Sequence, residues 1–200
     1  MKAAVEIVHV PPHYLVWNGY DAAVKAELWS SAIEIAGHIV AVDPTALSGE
    51  AKTKLTVAQR IGAVVVTNAN HTRAAKQFAR AAEIFVPAES SGTFPQAQIL
   101  SDGFELFEIT AIKIEGAAPG EFALHDAREG GSVIIGDALI NFGAHGFDLL
   151  PAKYCTSQKR MIRSLRRLLE LPFTRMFFAH GEPITARANE RLRTLLENCA

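Results

Sequence analysis

One segment constrains the fold of this chain more than any other: residues 63–73, with the sequence AVVVTNANHTR. Its first four residues are apolar, which is typical of a strand that is buried on both faces. Short polar residues follow directly, and an alanine-rich helix is predicted over residues 72–83, with Thr72 as its N-cap. The segment therefore predicts a central strand whose carboxyl end leads into a polar loop.

The rest of the chain alternates short strands and helices in two halves. Strands are predicted at 5–10, 14–17, 28–35, 38–42, 63–66 and 84–86, then at 105–114, 120–126, 132–136 and 175–179. Helices are predicted at 49–61, ended by Gly62, and at 72–83, 158–171 and 185–198. Two β-rich halves, each closed by helices, favour an α+β fold: two sheets face to face with helices outside, in one domain over residues 1–200.

Composition limits the kinds of partner that this chain can have. The formal net charge is −1, which gives no electrostatic reason to expect nucleic acid or an anionic membrane as a partner. No apolar run approaches the roughly 18 residues that cross a bilayer, and the first residues do not form a signal peptide. Cys155 and Cys199 are interpreted as free thiols in a reducing compartment. A cytoplasmic protein is expected.

Two later segments repeat the form of an apolar strand followed by a polar side chain. In IIGDAL the carboxylate of Asp137 follows the strand directly, and burying it is costly without a cation or several hydrogen-bond donors. Asp137 therefore either binds a metal or caps the next turn. In FFAHGEPI, His180 precedes Gly181, which permits close approach of the backbone. His180 is either a metal ligand or a core histidine bonded to a carbonyl.

These loops, in this order, resemble those of the metallo-β-lactamase superfamily, whose fold is a four-layer αββα sandwich. The family's hallmark is a strand followed by Thr-His-x-His-x-Asp-His, and Thr67 matches its threonine. The chain departs from the pattern at the four ligand positions, which are occupied by Asn68, Asn70, Thr72 and Arg73. The resemblance therefore implies the scaffold of a metallohydrolase with a depleted metal-binding motif.

Other positions of the family pattern are retained. The Gly-Asp-Ala-Leu that holds the bridging aspartate matches around Asp137, and the histidine before Gly-x-Pro matches at His180. Glu121 stands after a Pro-Gly pair, where the family has its next metal histidine. Asp43 ends an early strand, where the family has an aspartate that supports the loop behind the metals. His71 falls on a variable position of the motif and is assigned a supporting role.

Arg73 is the sharpest departure from the family, because a protonated guanidinium cannot bind a metal. Placed at a ligand position, it is predicted to pair with Asp137 or Glu121 and so to neutralise the carboxylates without a cation. Asn68 and Asn70 offer weak amide oxygens as ligands, or cap the helix that follows.

The residues leave three functions open. The first is a divergent metal-dependent hydrolase of esters, amides or phosphoesters, with one weakly held Mn²⁺, Fe²⁺ or Zn²⁺ on Asp137, His180 and Glu121. The second is an inactive pseudoenzyme that holds no metal and binds a small molecule or a protein. The third is a nucleic-acid processor that uses the basic face of the helix at 158–171; a solvated face is the simpler interpretation of that helix. Homodimers are common for this fold, so a homodimer is one expected state.

Overall fold

The computed structural model describes residues 2–57, 59–78, 82–142 and 146–199. Within these residues the strands are β1 (Val8–Val10), β2 (Tyr14–Asp21), β3 (Ala26–Ile35), β4 (His38–Val42), β5 (Arg60–Val65), β6 (Glu83–Val86), β7 (Gln98–Ile99), β8 (Glu105–Leu106), β9 (Ile109–Lys113), β10 (Phe122–Asp126), β11 (Ser132–Ile135), β12 (Leu139–Phe142), β13 (Gly146–Leu149) and β14 (Arg175–Phe178). The helices are α1 (Gly49–Thr56), α2 (Ala75–Phe78), α3 (Gln158–Leu168) and α4 (Ala188–Glu197).

The strands form two mixed sheets and a separate hairpin. The first sheet has the order β1 to β7, and its strands β4, β5, β6 and β7 run parallel. The second has the order β14-β11-β10-β9-β8, with β11 and β14 parallel. The hairpin pairs β12 with β13. The carboxyl ends of parallel strands meet at one edge of a sheet. The loops that follow β4 and β5 therefore lie at one edge of the first sheet, and the loops that follow β11 and β14 lie at one edge of the second.

Three apolar clusters show how the layers pack. One fills the space between the two sheets, where Val65 of β5 lies in the same cluster as Phe177 of β14. The second lies between α1, α2 and the outer face of the first sheet and includes Val64 and Phe78. The third buries the apolar faces of α3 and α4, including Leu165, on the second sheet. The predicted αββα sandwich is confirmed, and the neighbours Val64 and Val65 face opposite sides of their sheet, as expected for a strand buried on both faces.

The predicted boundaries of the first two helices are wrong. The helix predicted at 49–61 ends at Thr56, and Gly62 lies inside β5, where an added Cβ would be 2.8 Å from the His38 ring. The spacing of Leu55 and Ile61 fits a helix, but Ile61 alternates as part of a strand. The helix predicted at 72–83 begins at Ala75; residues 79–81 of that prediction, like residue 58 of the first, lie outside the described residues.

The strand predicted at 105–114 is a hairpin. It divides into β8 and β9 because the chain turns at Phe107, whose φ is 55°. The sequence analysis did not predict β7 or the hairpin of β12 and β13. Within the described residues, none of the helices is long and apolar enough to span a bilayer.

Away from the loops that follow the parallel strands, one buried carboxylate ties the two sheets together. Asp126 ends β10 and accepts a hydrogen bond from the Tyr14 hydroxyl of β2 at 2.8 Å. Arg128 donates to both Asp126 oxygens, at 2.9 and 2.7 Å, and His13 lies 3.1 Å away. Burial opposes ionisation of Asp126, but these donors outweigh it and lower its pKa to about 2.

We expect Asp126→Asn to lower the free energy of unfolding at pH 7 by about 2–3 kcal/mol, because the carboxylate is held ionised by roughly two pKa units. A depressed pKa stabilises the fold above the unfolded value, near 3.8, and the contribution is lost as the pH falls towards 2. Urea unfolding at pH 7 and near pH 2.5 measures this difference. The exposed Asp148→Asn is the control, and a difference between parent and Asp126→Asn that does not shrink in acid would contradict the assignment.

Candidate active site

Four strands bring the candidate residues to one edge of the sandwich. Asp43 follows β4, the loop from Thr67 to Arg73 follows β5, Asp137 follows β11, and His180 follows β14. Glu121 directly precedes β10, which is antiparallel to β11 and therefore begins at the edge where β11 ends. The order of strands alone therefore makes these side chains neighbours.

Three of these side chains form a compact group. His71, Asp137 and His180 each offer one ligand atom, and the three atoms lie within 4.8 Å of one another. Asp137 Oδ1 lies 3.0 Å from His71 Nε2 and 2.9 Å from His180 Nε2. His71 is 3% exposed and Asp137 8%, whereas the His180 side chain retains 19% of its surface. The group is therefore open to solvent on the His180 side.

Asp43 fixes the far side of the His71 ring. Its Oδ2 lies 2.8 Å from His71 Nδ1, so the imidazole is held between two carboxylates. The same carboxylate accepts hydrogen bonds from the backbone N–H of Thr67 at 2.8 Å and from the Thr67 hydroxyl at 2.5 Å. With Nδ1 committed to Asp43, the orientation of the ring is set and Nε2 faces Asp137. These contacts favour the supporting role that the sequence analysis assigns to Asp43.

The charges of the group depend on His71. Burial and the Arg73 charge oppose protonation of its ring, but Asp43 and Asp137 outweigh them and raise the pKa of His71 to about 9. Burial raises the pKa of Asp137, but His71 and His180 outweigh this effect and lower it well below its ordinary range. Burial lowers the pKa of His180. At neutral pH the metal-free group therefore contains one imidazolium, His71, between two carboxylates.

Glu121 lies beside this group and has other partners. Its Oε2 accepts from the Asn68 amide at 2.6 Å, and its Oε1 accepts from the backbone N–H of Ala138 at 3.1 Å. Asn68 Nδ2 also lies 3.2 Å from Asp137 Oδ2, so one amide contacts both acidic side chains. Burial and the Asp137 charge raise the pKa of Glu121 to about 8. The predicted ligand set of Asp137, His180 and Glu121 is therefore not the set that the structure brings together, because His71 takes the third place.

The other residues at the family's ligand positions have structural contacts. Asn68 Oδ1 accepts from the backbone N–H of Asn70 at 2.9 Å, which closes a turn ahead of α2 and does not cap the helix itself. Asn70 Nδ2 reaches Asp137 Oδ2 only at 3.5 Å. Thr72 contributes its carbonyl, to the backbone N–H of Ala75 at 3.0 Å. Asn68 therefore closes a turn and contacts acidic side chains, and the predicted capping of the following helix by Asn68 is wrong.

The predicted ion pair of Arg73 with Asp137 or Glu121 is wrong. Within the described part of the chain, the hydrogen bonds of the guanidinium go to backbone carbonyls: those of Trp29 at 2.6 Å, Asp43 at 3.1 Å and Ala179 at 3.3 Å. The physical reason is that the His71 ring already occupies the position between the carboxylates. The charge that compensates Asp137 in the metal-free protein is therefore an imidazolium and not a guanidinium.

His71 is the residue whose role the sequence analysis underestimated. The turn that begins at Asn68 brings the backbone N–H of His71 to the Asn68 carbonyl at 3.1 Å, so the chain folds back on itself within three residues. This turn carries His71 between the ends of β4 and β11. One signal was present in the sequence: His71 is the single histidine in the loop at 67–73. Along the chain, this loop lies between two aspartates that end strands, Asp43 and Asp137.

Comparison with known proteins adds the family context. A family model described as the metallo-beta-lactamase superfamily matches residues 6–198. None of the curated proteins searched matches this chain.

Solved structures resemble the whole fold at low sequence identity. The metallo-beta-lactamase FIM-1 from Pseudomonas aeruginosa, in the mono-zinc form, is 13% identical with a TM-score of 0.70, over 99% of this chain and 96% of that chain. A metallo-beta-lactamase family protein from Thermus thermophilus is 17% identical with a TM-score of 0.66, over 94% and 78%. One from Erythrobacter litoralis is 15% identical with a TM-score of 0.68, over 96% and 92%. At these identities the likeness establishes the fold alone.

Proposed function

The chain belongs to the metallo-β-lactamase superfamily, and we propose that it is a metal-dependent hydrolase that works with a single metal ion. The observation that carries the proposal is the convergence of His71, Asp137 and His180 from three separate loops, with their ligand atoms within 4.8 Å. Two imidazoles and one carboxylate are a donor set typical of catalytic Zn²⁺ and of non-haem Fe²⁺, and they leave coordination positions open for water and substrate.

The donor set fits one metal better than two. Within the described residues one group of three ligands is present, and Glu121, a buried acid beside it, is joined to Asp137 through the Asn68 amide. A dinuclear zinc site needs about seven or eight ligands, largely imidazoles, and the motif loop supplies only His71. The solved relative in the mono-zinc form is a precedent for one metal in this fold.

The protein's own residues have distinct parts in the proposed reaction. Asp43 orients His71, Asp137 presents Oδ1 to both imidazoles, and Asn68 keeps the second Asp137 oxygen in place. His180 is the ligand that keeps part of its surface exposed, so substrate enters beside it. A bound divalent metal would supply Lewis-acid polarisation of an ester, amide or phosphoester and would lower the pKa of water in the site.

Metal content and hydrolysis, measured together, test the proposal. The purified chain is stripped with a chelator, reloaded with Zn²⁺, Mn²⁺ or Fe²⁺, analysed for bound metal, and assayed with chromogenic ester, lactam and phosphodiester substrates. We expect about one metal per chain and metal-dependent turnover of one substrate class, both lost in Asp137→Ala and His180→Ala. His9→Ala, which removes an exposed histidine of β1, is the control.

A chain that binds none of the three metals would overturn the proposal and support the second function. One observation favours that alternative: the protonated His71 ring already hydrogen-bonds Asp43 and Asp137 and compensates their charge without a metal ion. In that case we propose a non-catalytic protein that binds a small molecule or a protein beside His180. Metal binding with full turnover in both Asp137→Ala and His180→Ala would also contradict the assignment of the ligands.

A further inference from the structure

Arg73 spans the two sheets at the edge where the candidate ligands lie. Its Nη1 donates to the carbonyl of Trp29, in β3, at 2.6 Å and to that of Asp43, just after β4, at 3.1 Å. Its Nη2 donates to the carbonyl of Ala179, just after β14, at 3.3 Å. The first two acceptors belong to the first sheet and the third to the second sheet, so one planar side chain connects both halves of the sandwich.

Two of these three carbonyls belong to residues that position the candidate ligands. Asp43 is the residue that orients His71, and Ala179 directly precedes His180. The Ala179 carbonyl also accepts from the backbone N–H of Trp29 at 2.9 Å, which makes it a common point of contact between β3 and the loop after β14. A displacement of this point moves the backbone of His180, and a displacement of Asp43 moves the ring of His71.

The contacts of Arg73 differ from those of an ordinary surface arginine. Its side chain is half-buried and stays protonated, yet within the described residues its hydrogen bonds go to carbonyls and not to a carboxylate. Its backbone φ is 29°, in the left-handed region that residues other than glycine rarely adopt. Such a conformation persists where the surrounding contacts hold it in place.

We propose that Arg73 is a positioning residue that presets His71 and His180 for a single metal. It does so by fixing the Asp43 and Ala179 carbonyls from a position where the family pattern has a metal ligand. The guanidinium thereby provides, as a permanent part of the chain, one of the links between the two sheets at this edge. The metal affinity in this inference rests on the proposed function, whereas the preset geometry exists in the metal-free protein.

The test compares Arg73→Ala with a matched arginine elsewhere. Arg166 of α3 also donates to a backbone carbonyl, that of Leu196 in α4. This contact joins two helices and does not involve the loops that carry the candidate ligands. The readouts are the Kd for Zn²⁺, measured by competition with a chelating dye, and the imidazole ¹⁵N signals of His71 and His180 in the metal-free protein. The free energy of unfolding is measured alongside them. Each variant is measured with and without millimolar methylguanidinium, which can replace the missing group.

We expect Arg73→Ala to weaken Zn²⁺ binding about 10–100-fold, the usual effect of removing a residue that orients ligands. Its imidazole signals should shift, and methylguanidinium should restore both the signals and the affinity. Arg166→Ala should lose stability with no change in Kd or in the imidazole signals. An unchanged Kd and unchanged signals in Arg73→Ala would overturn the proposal, and so would a loss that methylguanidinium does not restore.

Two further arms keep the test decisive. Where Arg73→Ala does not fold, Arg73→Lys replaces it, because an ammonium has one nitrogen and cannot reproduce the separate contacts of Nη1 and Nη2; full affinity in Arg73→Lys would overturn the proposal. Where the parent chain itself binds no Zn²⁺, the proposed function fails, and the imidazole signals alone decide the role of Arg73. Signals that shift in Arg73→Ala and return with methylguanidinium support that role, and signals that stay in place refute it.

Discussion

Replacing His71 with leucine should destabilise the metal-free protein by about 3–5 kcal/mol, the cost of removing one partner from a buried, hydrogen-bonded group of charges. Asp43 is 2% exposed and Asp137 8%, and both face the His71 ring at 3.0 Å or less. Without the imidazolium, two buried carboxylates lose the positive charge between them and an important hydrogen-bond donor. Equilibrium urea unfolding in the presence of a chelator measures the effect.

His180→Leu is the matched control for this prediction. His180 also contacts Asp137 Oδ1, but its side chain is partly exposed and its ring does not lie between two carboxylates. We expect it to cost much less stability than His71→Leu, while both variants lose metal binding to a similar degree. Equal stability of His71→Leu and the parent would show that His71 is not the charge that compensates Asp43 and Asp137.

The second large effect is expected at Gly181, the residue that follows His180. Its φ is 114°, and an added Cβ would lie 1.9 Å from the carbonyl oxygen of Asn141. Asn141 in turn donates its backbone N–H to the His180 carbonyl at 2.9 Å and accepts from Glu182 at 3.1 Å. Gly181→Ala must therefore part the loop from β12, and we expect a loss of about 3 kcal/mol or more together with weaker metal binding.

Gly37→Ala separates the two causes of that loss. Gly37 also has a positive φ, 75°, but nothing lies within 4 Å of an added Cβ, so this variant carries the backbone strain without the collision. We expect it to lose only about 1 kcal/mol and to keep full metal affinity, as measured by thermal unfolding and metal titration. If Gly181→Ala and Gly37→Ala proved equally stable, the close approach to Asn141 would not be what holds His180.

The sequence predicts the scaffold well because burial leaves a clear pattern. Continuous apolar runs mark the central strands, and the polar residue that ends each run marks the common edge, which is how Asp137 and His180 were identified as candidates. Helix ends were harder to predict, because the spacing of Leu55 and Ile61 suits a helix as well as the strand that Ile61 actually joins. Local periodicity cannot show that β5 pairs with β4 and β6, and this pairing makes Ile61 part of a strand.

The roles of His71 and Arg73 could not be predicted because contacts between distant segments decide them. The turn from Asn68 to His71 is closed by hydrogen bonds within the loop, and the ring is then captured by Asp43 and Asp137, 28 and 66 residues away along the chain. Comparison with the family motif placed His71 at a variable position and Arg73 at a ligand position. The fold reverses the expectation for both: the first joins the candidate ligands, and the second binds the backbone around them.

The shared contacts of Asp137 also constrain how this site can change during evolution. Asn68 donates to Glu121 and Asp137 together, and an added Cβ on Gly136 would lie 2.9 Å from its amide, so there is little room for a larger side chain. A single Asn68→His substitution would crowd Gly136, and it would remove the amide that Glu121 and Asp137 share as a hydrogen-bond donor. We therefore expect substitutions around this loop to be epistatic, because each one changes contacts that its neighbours share.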